Sequence, residues 1–256
     1  MPQYISPWCL TPSLIRLPNS SIPGHNCIRL GNRNGQLSTF NRNYSSPMTS
    51  RVSLRLMPLG GSITYGVGSS DGNGYRRFLY EALGSCGFNP SMLGSRKTGT
   101  MDSNSHEGWR GFKIHEIQEK GIKSAKVQLP NIFAVNSGSN DCIQDFEIGK
   151  AGERIDDMLH RLWEASPGST IVLSTLVMNC DGQVNSRVVE INDQIRKLVG
   201  RRAGEHKRIV LADMYTPCGP QGGDLMDGLH PNDAGYKKMA DIWYNSIQIA
   251  ALKGLL

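Results

Sequence analysis

From Val52 onwards, short apolar runs alternate with stretches in which apolar residues recur every three or four positions. Continuous apolar runs are typical of strands buried on both faces of a sheet, and the second pattern is typical of amphipathic helices. The predicted strands are Val52–Pro58, a short piece at Met92–Leu93, Asn131–Asn136, Thr170–Val177 and Ile209–Ala212. The predicted helices cover Tyr75–Gly84, the region of Ile114 to Gln118, Ile155–Leu162, Val184–Leu198 and Ala234–Leu252. This alternation predicts an α/β fold with one five-stranded parallel sheet between two layers of helices.

Residues 1–50 do not follow this pattern. They are rich in Ser, Asn, Pro and Arg, and they show neither the strand nor the helix period. We predict that they are mostly disordered and that the folded domain covers residues 51–256. The apolar residues between Tyr4 and Ile15 are interrupted by two prolines, which argues against a secretory signal. A targeting segment and a mispredicted or truncated start remain as alternatives.

The charge of the chain points away from nucleic acid. The net charge is +6, but residues 1–50 contain four arginines and no acidic residue, so they account for four of these charges. The remainder shows no basic helix and no basic patch interleaved with aromatic residues, so we expect no nucleic-acid partner. It also contains no apolar run of the length that spans a membrane.

The six cysteines give no sign of a metal or dithiol redox site, because no two are spaced as Cys-x-x-Cys. We therefore expect no metal and no cofactor. Cys142 and Cys180 follow adjacent predicted strands, so the sequence is compatible with a disulfide between them and also with two free thiols.

The first predicted strand runs into Gly60, Gly61 and Ser62. Active sites of parallel sheets lie beyond the carboxyl ends of the strands, and glycines allow the sharp turn that presents a nucleophile there. Ser62 is therefore the candidate nucleophile. The same three residues would also suit an ordinary flexible turn.

A base and a carboxylate follow the last predicted strand. His230 lies three residues after Asp227, and a loop of this length can point both side chains to one side. A hydrolytic serine needs an imidazole to take its proton, and that imidazole needs a carboxylate to orient it. The alternatives are a helix-capping role for Asp227 and an ordinary surface position for His230.

Acyl transfer also needs hydrogen-bond donors for the oxyanion. Asn140, after the third strand, offers a side-chain amide, and Gly111 offers a backbone N–H in a loop. The N–H of Ser62 is a third donor. Each of these segments would also suit a plain turn.

Taken in order, four blocks resemble the SGNH, or GDSL-type, esterase and lipase superfamily. They are Gly60-Gly61-Ser62, His106-Glu107-Gly108-Trp109-Arg110-Gly111, Gly138-Ser139-Asn140-Asp141 and Asp227-Gly228-Leu229-His230. The resemblance implies a flavodoxin-like sheet of order 2-1-3-4-5, catalytic Ser62, His230 and Asp227, and an oxyanion hole from Ser62, Gly111 and Asn140. Gly61 departs from the pattern, which usually has Asp there, so the resemblance does not determine the packing or hydrogen bonding around this turn.

Within that superfamily the second and fourth blocks are most similar to carbohydrate esterase family three, the acetyl xylan esterases. This implies the removal of small acyl groups, acetyl above all, from a polysaccharide or other small ester by an extracellular, monomeric enzyme of microbial, often fungal, type. Three alternatives stand beside it: a broad carboxylesterase or lysophospholipase, a catalytically silent carbohydrate-binding module, and a flavodoxin-like nucleotide binder. The last is disfavoured because the loop after the first strand has no phosphate-cradling glycine-rich run that ends at a helix N-terminus.

Overall fold

A computed structural model describes residues 52–256, which form seven strands and seven α-helices. The strands are β1 (Val52–Gly60), β2 (Phe88–Met92), β3 (Arg96–Lys97), β4 (Ser105–Gly108), β5 (Ile132–Asn136), β6 (Thr170–Ser174) and β7 (Ile209–Ala212). The helices are α1 (Ser62–Tyr65), α2 (Tyr75–Ser85), α3 (Ile114–Gln128), α4 (Ser139–Gln144), α5 (Ala151–Ala165), α6 (Gly182–Gly204) and α7 (Asp233–Leu252). The prediction for residues 1–50 lies outside the described residues.

Five strands of the sheet are parallel neighbours in the order β2-β1-β5-β6-β7. Counted by themselves, they have the predicted order 2-1-3-4-5. Because all five strands point the same way, the loops after β1, β5 and β7 meet at one edge of the sheet. The α/β class and the parallel sheet with helices on both faces are confirmed.

The sheet has seven strands rather than the five predicted. Two residue pairs join the end of β1 to β4, Leu59 with Glu107 and Gly60 with Gly108, and β3 then pairs antiparallel to β4. These two strands are short and polar, so they lack the apolar runs by which the other strands were predicted. Their effect is to bring the segment after Gly108 beside the turn that holds Ser62.

Side chains of alternate residues of β1 enter two separate apolar cores. Met57 and Leu59 pack with α3, α5 and α6, while Leu54 and Leu56 pack with α2 and α7. This alternation follows from the two-residue period of a strand and explains why buried strands are apolar throughout. The two cores hold the edge of the sheet rigid beneath the candidate site.

Two further observations concern the cysteines and the helices. Cys142 and Cys180 are both free, the first buried and the second exposed, so no disulfide joins them. Among residues 52–256, no helix combines the length and the apolar character that a membrane crossing requires.

Candidate active site

Ser62 is the first residue of the one-turn helix α1, directly after β1. The turn before it depends on Gly60, because a Cβ there would lie 2.2 Å from the carbonyl oxygen of Asn136 on β5. That close approach lets β1 end against β5 and turn sharply into the helix. The N–H of Ser62 belongs to the first turn of α1, where amides have no partner within the helix.

The loop of Asp227 and His230 lies against Ser62, 168 residues away in sequence. The Nε2 atom of His230 is 2.8 Å from Ser62 Oγ, and its Nδ1 atom is 2.7 Å from Asp227 Oδ2. The other oxygen of Asp227 accepts hydrogen bonds from the backbone N–H groups of Leu229 and His230. Serine, imidazole and carboxylate therefore form one continuous chain of hydrogen bonds.

The Asp227 carboxylate is held in its charged form. Burial would raise the pKa of Asp227, but the hydrogen bonds from the backbone and ring of His230 and from the Leu229 N–H outweigh burial and lower it to about 2. A charged carboxylate at Nδ1 fixes the imidazole so that Nε2 faces Ser62 as the acceptor.

Asn140 approaches the same serine from the β5 side, at the start of α4. Its Nδ2 atom donates one hydrogen bond, of 2.9 Å, to the carbonyl oxygen of Phe112. The neighbouring Asp141 is buried and accepts from the Ile114 N–H, which ties α4 to the beginning of α3. An amide nitrogen carries two hydrogens, so Asn140 retains a second donor.

Gly61 leaves room beside this amide. A Cβ at residue 61 would lie 3.3 Å from Asn140 Nδ2 and 3.9 Å from the carbonyl oxygen of Trp109. The backbone there has a φ of −89°, which any residue can adopt. The absence of the usual Asp therefore leaves the turn undistorted and keeps the space next to Asn140 open.

Gly111 and Gly108 differ in what their N–H groups do. The Gly108 N–H donates to His106 Nδ1 at 2.8 Å, whereas the Gly111 N–H has no acceptor within residues 52–256. Gly111 lies in an exposed turn with a φ of +80°, a conformation that favours glycine. This difference favours Gly111 over Gly108 as an oxyanion donor, and that role stays a prediction.

A small cavity adjoins Ser62 on the Asn140 side. Its volume is about 10 Å³, close to the least that holds one water molecule. The residues that line it are Gly61, Ser62, Ile63, Phe112, Ile117, Asn136, Gly138, Ser139 and Asn140. The cavity is therefore small, and it lies between Ser62 and the Asn140 side chain.

Sequence reasoning missed a buried polar network behind α1, the helix that begins at Ser62. The guanidinium of Arg76 is fully buried and donates to the carbonyl oxygens of Tyr65, Gly72, Thr98 and Asn104. Burial lowers the pKa of Arg76 to about 10, so it remains charged at neutral pH. Arg76 follows the first residue of α2, where an arginine is indistinguishable in sequence from one on a solvated face.

Several solved structures share the fold of this chain. The Clostridium thermocellum family 3 carbohydrate esterase superposes with a TM-score of 0.70 at 24% identity, over 78% of this chain and 98% of that chain. A family 3 carbohydrate esterase from Talaromyces cellulolyticus and an acetyl esterase mutant with acetate ion each give a TM-score of 0.67, at 21% and 20% identity, over 78% of this chain and 98% of theirs. These likenesses show a shared fold.

Sequence comparisons show the family to which the chain belongs. A multidomain esterase of Ruminococcus flavefaciens is 27% identical over 243 residues, which cover 83% of this chain and 31% of that protein. The chain thus spans about a third of the length of this relative. Residues 59–238, well over half of the chain, match the GDSL-like Lipase/Acylhydrolase family, and the four sequence blocks with Ser62, Gly111, Asn140 and His230 lie within that match. The chain belongs to the GDSL-like lipase/acylhydrolase family, whose reaction is the hydrolysis of carboxylic esters.

Proposed function

We propose that this protein is a serine esterase that removes short acyl groups, acetyl above all, from a carbohydrate or other small ester through an acyl-enzyme. The observation that carries the proposal is the unbroken chain of hydrogen bonds from Ser62 Oγ through His230 to Asp227, with distances of 2.8 and 2.7 Å. That geometry is what a hydroxyl nucleophile needs to lose its proton as it attacks.

The reaction runs in two halves. Ser62 Oγ attacks the acyl carbon while His230 Nε2 takes its proton, and Asp227 stabilises the positive charge that forms on the ring. The oxyanion of the tetrahedral intermediate is bound by the N–H of Ser62, the N–H of Gly111 and the Asn140 amide. His230 then gives its proton to the departing alcohol, and a water molecule activated by the same base releases the acyl group from Ser62.

The preference for acetyl rests on the cavity beside Ser62. That cavity is small, which favours a short acyl group over a long one. The names of two kinds of structural neighbour, family 3 carbohydrate esterases and an acetyl esterase, agree with a short acyl group and a carbohydrate alcohol.

Turnover of p-nitrophenyl acetate by purified wild type and Ser62→Ala tests the nucleophile. We expect the substitution to lower kcat by about 10⁴-fold or more. Ser186→Ala, which removes an exposed hydroxyl on α6, is the control and should retain full activity. Equal rates for wild type and Ser62→Ala would refute a serine mechanism.

A series from p-nitrophenyl acetate to p-nitrophenyl octanoate tests the acyl group. The wild type should prefer acetate, and Phe112→Ala should shift the preference toward longer chains because it removes one wall of the cavity. A wild type that prefers octanoate would instead indicate a broad carboxylesterase or lysophospholipase. Saccharide binding with no hydrolysis of any ester in the series would indicate the silent binding module.

A further inference from the structure

Three cationic side chains, Arg96, Arg110 and Lys120, lie on two aromatic rings next to the candidate active site; we refer to these three as the cationic patch. The Arg96 guanidinium carbon is 4.4 Å from the centre of the Trp109 ring and 5.6 Å from that of Tyr65. The Arg110 guanidinium carbon is 5.8 Å from the Tyr65 ring centre, and the Lys120 Nζ is 4.8 Å from that of Trp109. Contacts of this kind hold a cation in place while leaving its N–H groups for another partner.

No carboxylate neutralises the cationic patch. The first 51 residues contain no Asp or Glu, so every acidic side chain of the chain lies among residues 52–256, and none of them is within 4.0 Å of a cationic atom of the patch. The Nε of Arg96 is buried and has no partner within the same range. Arginines elsewhere on the domain, such as Arg154, Arg196 and Arg202, are paired with carboxylates.

The buried carboxylate of Glu107 serves a different purpose. Its oxygens accept hydrogen bonds from the Trp109 Nε1, the Ser124 hydroxyl and the Ser95 N–H. Glu107 therefore fixes the Trp109 ring, on which two of the cations rest. It contributes to the shape of the cationic patch without forming an ion pair with it.

The patch lies directly beside the nucleophile. Tyr65 is three residues after Ser62 on α1, and residues three apart face the same side of a helix. The Trp109 N–H donates to the Gly60 carbonyl, and the Trp109 ring stacks on Phe112, which lines the cavity beside Ser62. An ester bound at Ser62 with its acyl group in that cavity would therefore direct its alcohol half into the open space that the patch borders.

We propose that the cationic patch binds an anionic group, a carboxylate or a phosphate, on the alcohol half of the substrate. This proposal rests on the serine esterase function proposed above and narrows its substrate class to acylated acidic saccharides. Guanidinium groups match the geometry of carboxylates and phosphates, and here their positions are set by ring contacts before any ligand binds. Tyr65 lies three residues after Ser62, a rise of about 4.5 Å along α1, so the anion belongs to the acylated sugar or to the next one.

The test compares three acetyl esters that differ at one position of the sugar: a 3-O-acetyl methyl glucoside, its glucuronoside, which carries a carboxylate, and its 6-phosphate. We expect the wild type at low salt to have a kcat/KM about tenfold higher on at least one of the two anionic esters than on the neutral one. The anionic ester with the higher value identifies the anion. Raising the salt concentration to roughly 0.5 M, which shortens the Debye length to below about 8 Å and so screens exposed charges, should reduce this preference.

Variants assign the preference to the cationic patch. Arg96→Gln with Arg110→Gln should abolish it and leave the neutral ester and p-nitrophenyl acetate unchanged. Lys126→Gln removes one exposed charge from the far end of α3 and should preserve it. Because Arg96 is half-buried, Arg110→Gln alone, at an exposed position, is the variant to use if the double variant does not fold.

Equal rates on the three esters, or a preference that survives the arginine substitutions, would overturn the proposal. Failure of the esterase function itself looks different, since the wild type would then hydrolyse neither p-nitrophenyl acetate nor any of the sugar esters.

Discussion

Two histidines lie close to the segment of Ser62, and their surroundings are opposite. His230 lies in an open loop with Nε2 on Ser62 and Nδ1 on the Asp227 carboxylate. His106 is fully buried on β4, where its Nδ1 accepts a hydrogen bond from the Gly108 N–H.

The hydrogen bond at Nδ1 decides what each ring can do. Because the Gly108 N–H donates to Nδ1 of His106, that nitrogen carries no proton. The ring proton therefore lies on Nε2, which is 2.7 Å from Thr98 Oγ1. Burial, together with the charges of Arg76 and Arg96, lowers the pKa of His106 to about 3. His106 is thus a fixed, neutral structural link, whereas the carboxylate beside His230 can stabilise the cation that general-base catalysis produces.

The largest loss of activity is expected when the imidazole at Ser62 is removed. We expect His230→Ala to lower kcat by about 10⁴-fold or more, because no other base lies at Ser62 Oγ within residues 52–256. His160→Ala, which removes an exposed imidazole on α5, should leave kcat unchanged. A loss smaller than tenfold in His230→Ala, measured with p-nitrophenyl acetate, would contradict the role assigned to this histidine.

Substitutions on the opposite side of Ser62 should have smaller effects, because the proposed oxyanion donors there would stabilise charge and transfer no proton. Asn140→Ala removes one of these proposed donors, and we expect kcat to fall by about 10²–10³-fold with little change in KM. Asn245→Ala, at an exposed position of α7, is the matched control. An unchanged kcat would mean that the Asn140 amide serves only the Phe112 carbonyl.

A smaller effect is expected from filling the space at Gly61. An alanine Cβ would lie 3.3 Å from Asn140 Nδ2, so the amide would have to shift by a few tenths of an ångström. We expect Gly61→Ala to lower kcat by about tenfold, since a small displacement of the proposed oxyanion donor Asn140 would weaken its bond to the transition state. Gly200→Ala, where a Cβ meets nothing within 4 Å, should be silent, and equal activity of the two variants would show that Asn140 is not held against this turn.

Residues that follow apolar strands could be predicted from the sequence. The apolar runs before Ser62 and Asn140 predict strands. Because the carboxyl ends of parallel strands lie at one edge of a sheet, the two residues are predicted at that edge. Asp227 and His230 are three residues apart, and a short loop determines their relation without help from the rest of the fold. These predictions depend on local pattern and on one rule of sheet topology.

Other features depend on tertiary contacts that leave no pattern in the sequence. β4 has the sequence Ser-His-Glu-Gly, so no apolar run reveals it as a strand. It belongs to the sheet through only two residues paired with β1. Arg76 is stabilised by carbonyl groups from separate loops, and such acceptors exist in every loop of every sequence. The cationic patch draws its members from β3, the turn after β4 and α3, and their common location follows only from that pairing.

The mildest test concerns the buried histidine and measures stability instead of turnover. The folded protein binds no proton at His106 until the pH nears 3, while the unfolded chain binds one near pH 6.5, so the unfolded state gains stability as the pH falls through this window. Between pH 7 and pH 5 we expect His106 to reduce the free energy of unfolding by about 2 kcal/mol. Asp227 does not interfere, because its lowered pKa affects stability only below its unfolded value of 3.8.

Urea unfolding at both pH values measures this effect. His106→Gln should lose less free energy of unfolding between pH 7 and pH 5 than the wild type, with near-normal kcat at pH 7. His160→Gln should keep the wild-type loss, and an equal loss in His106→Gln would show that the buried ring takes up a proton as readily as an exposed one.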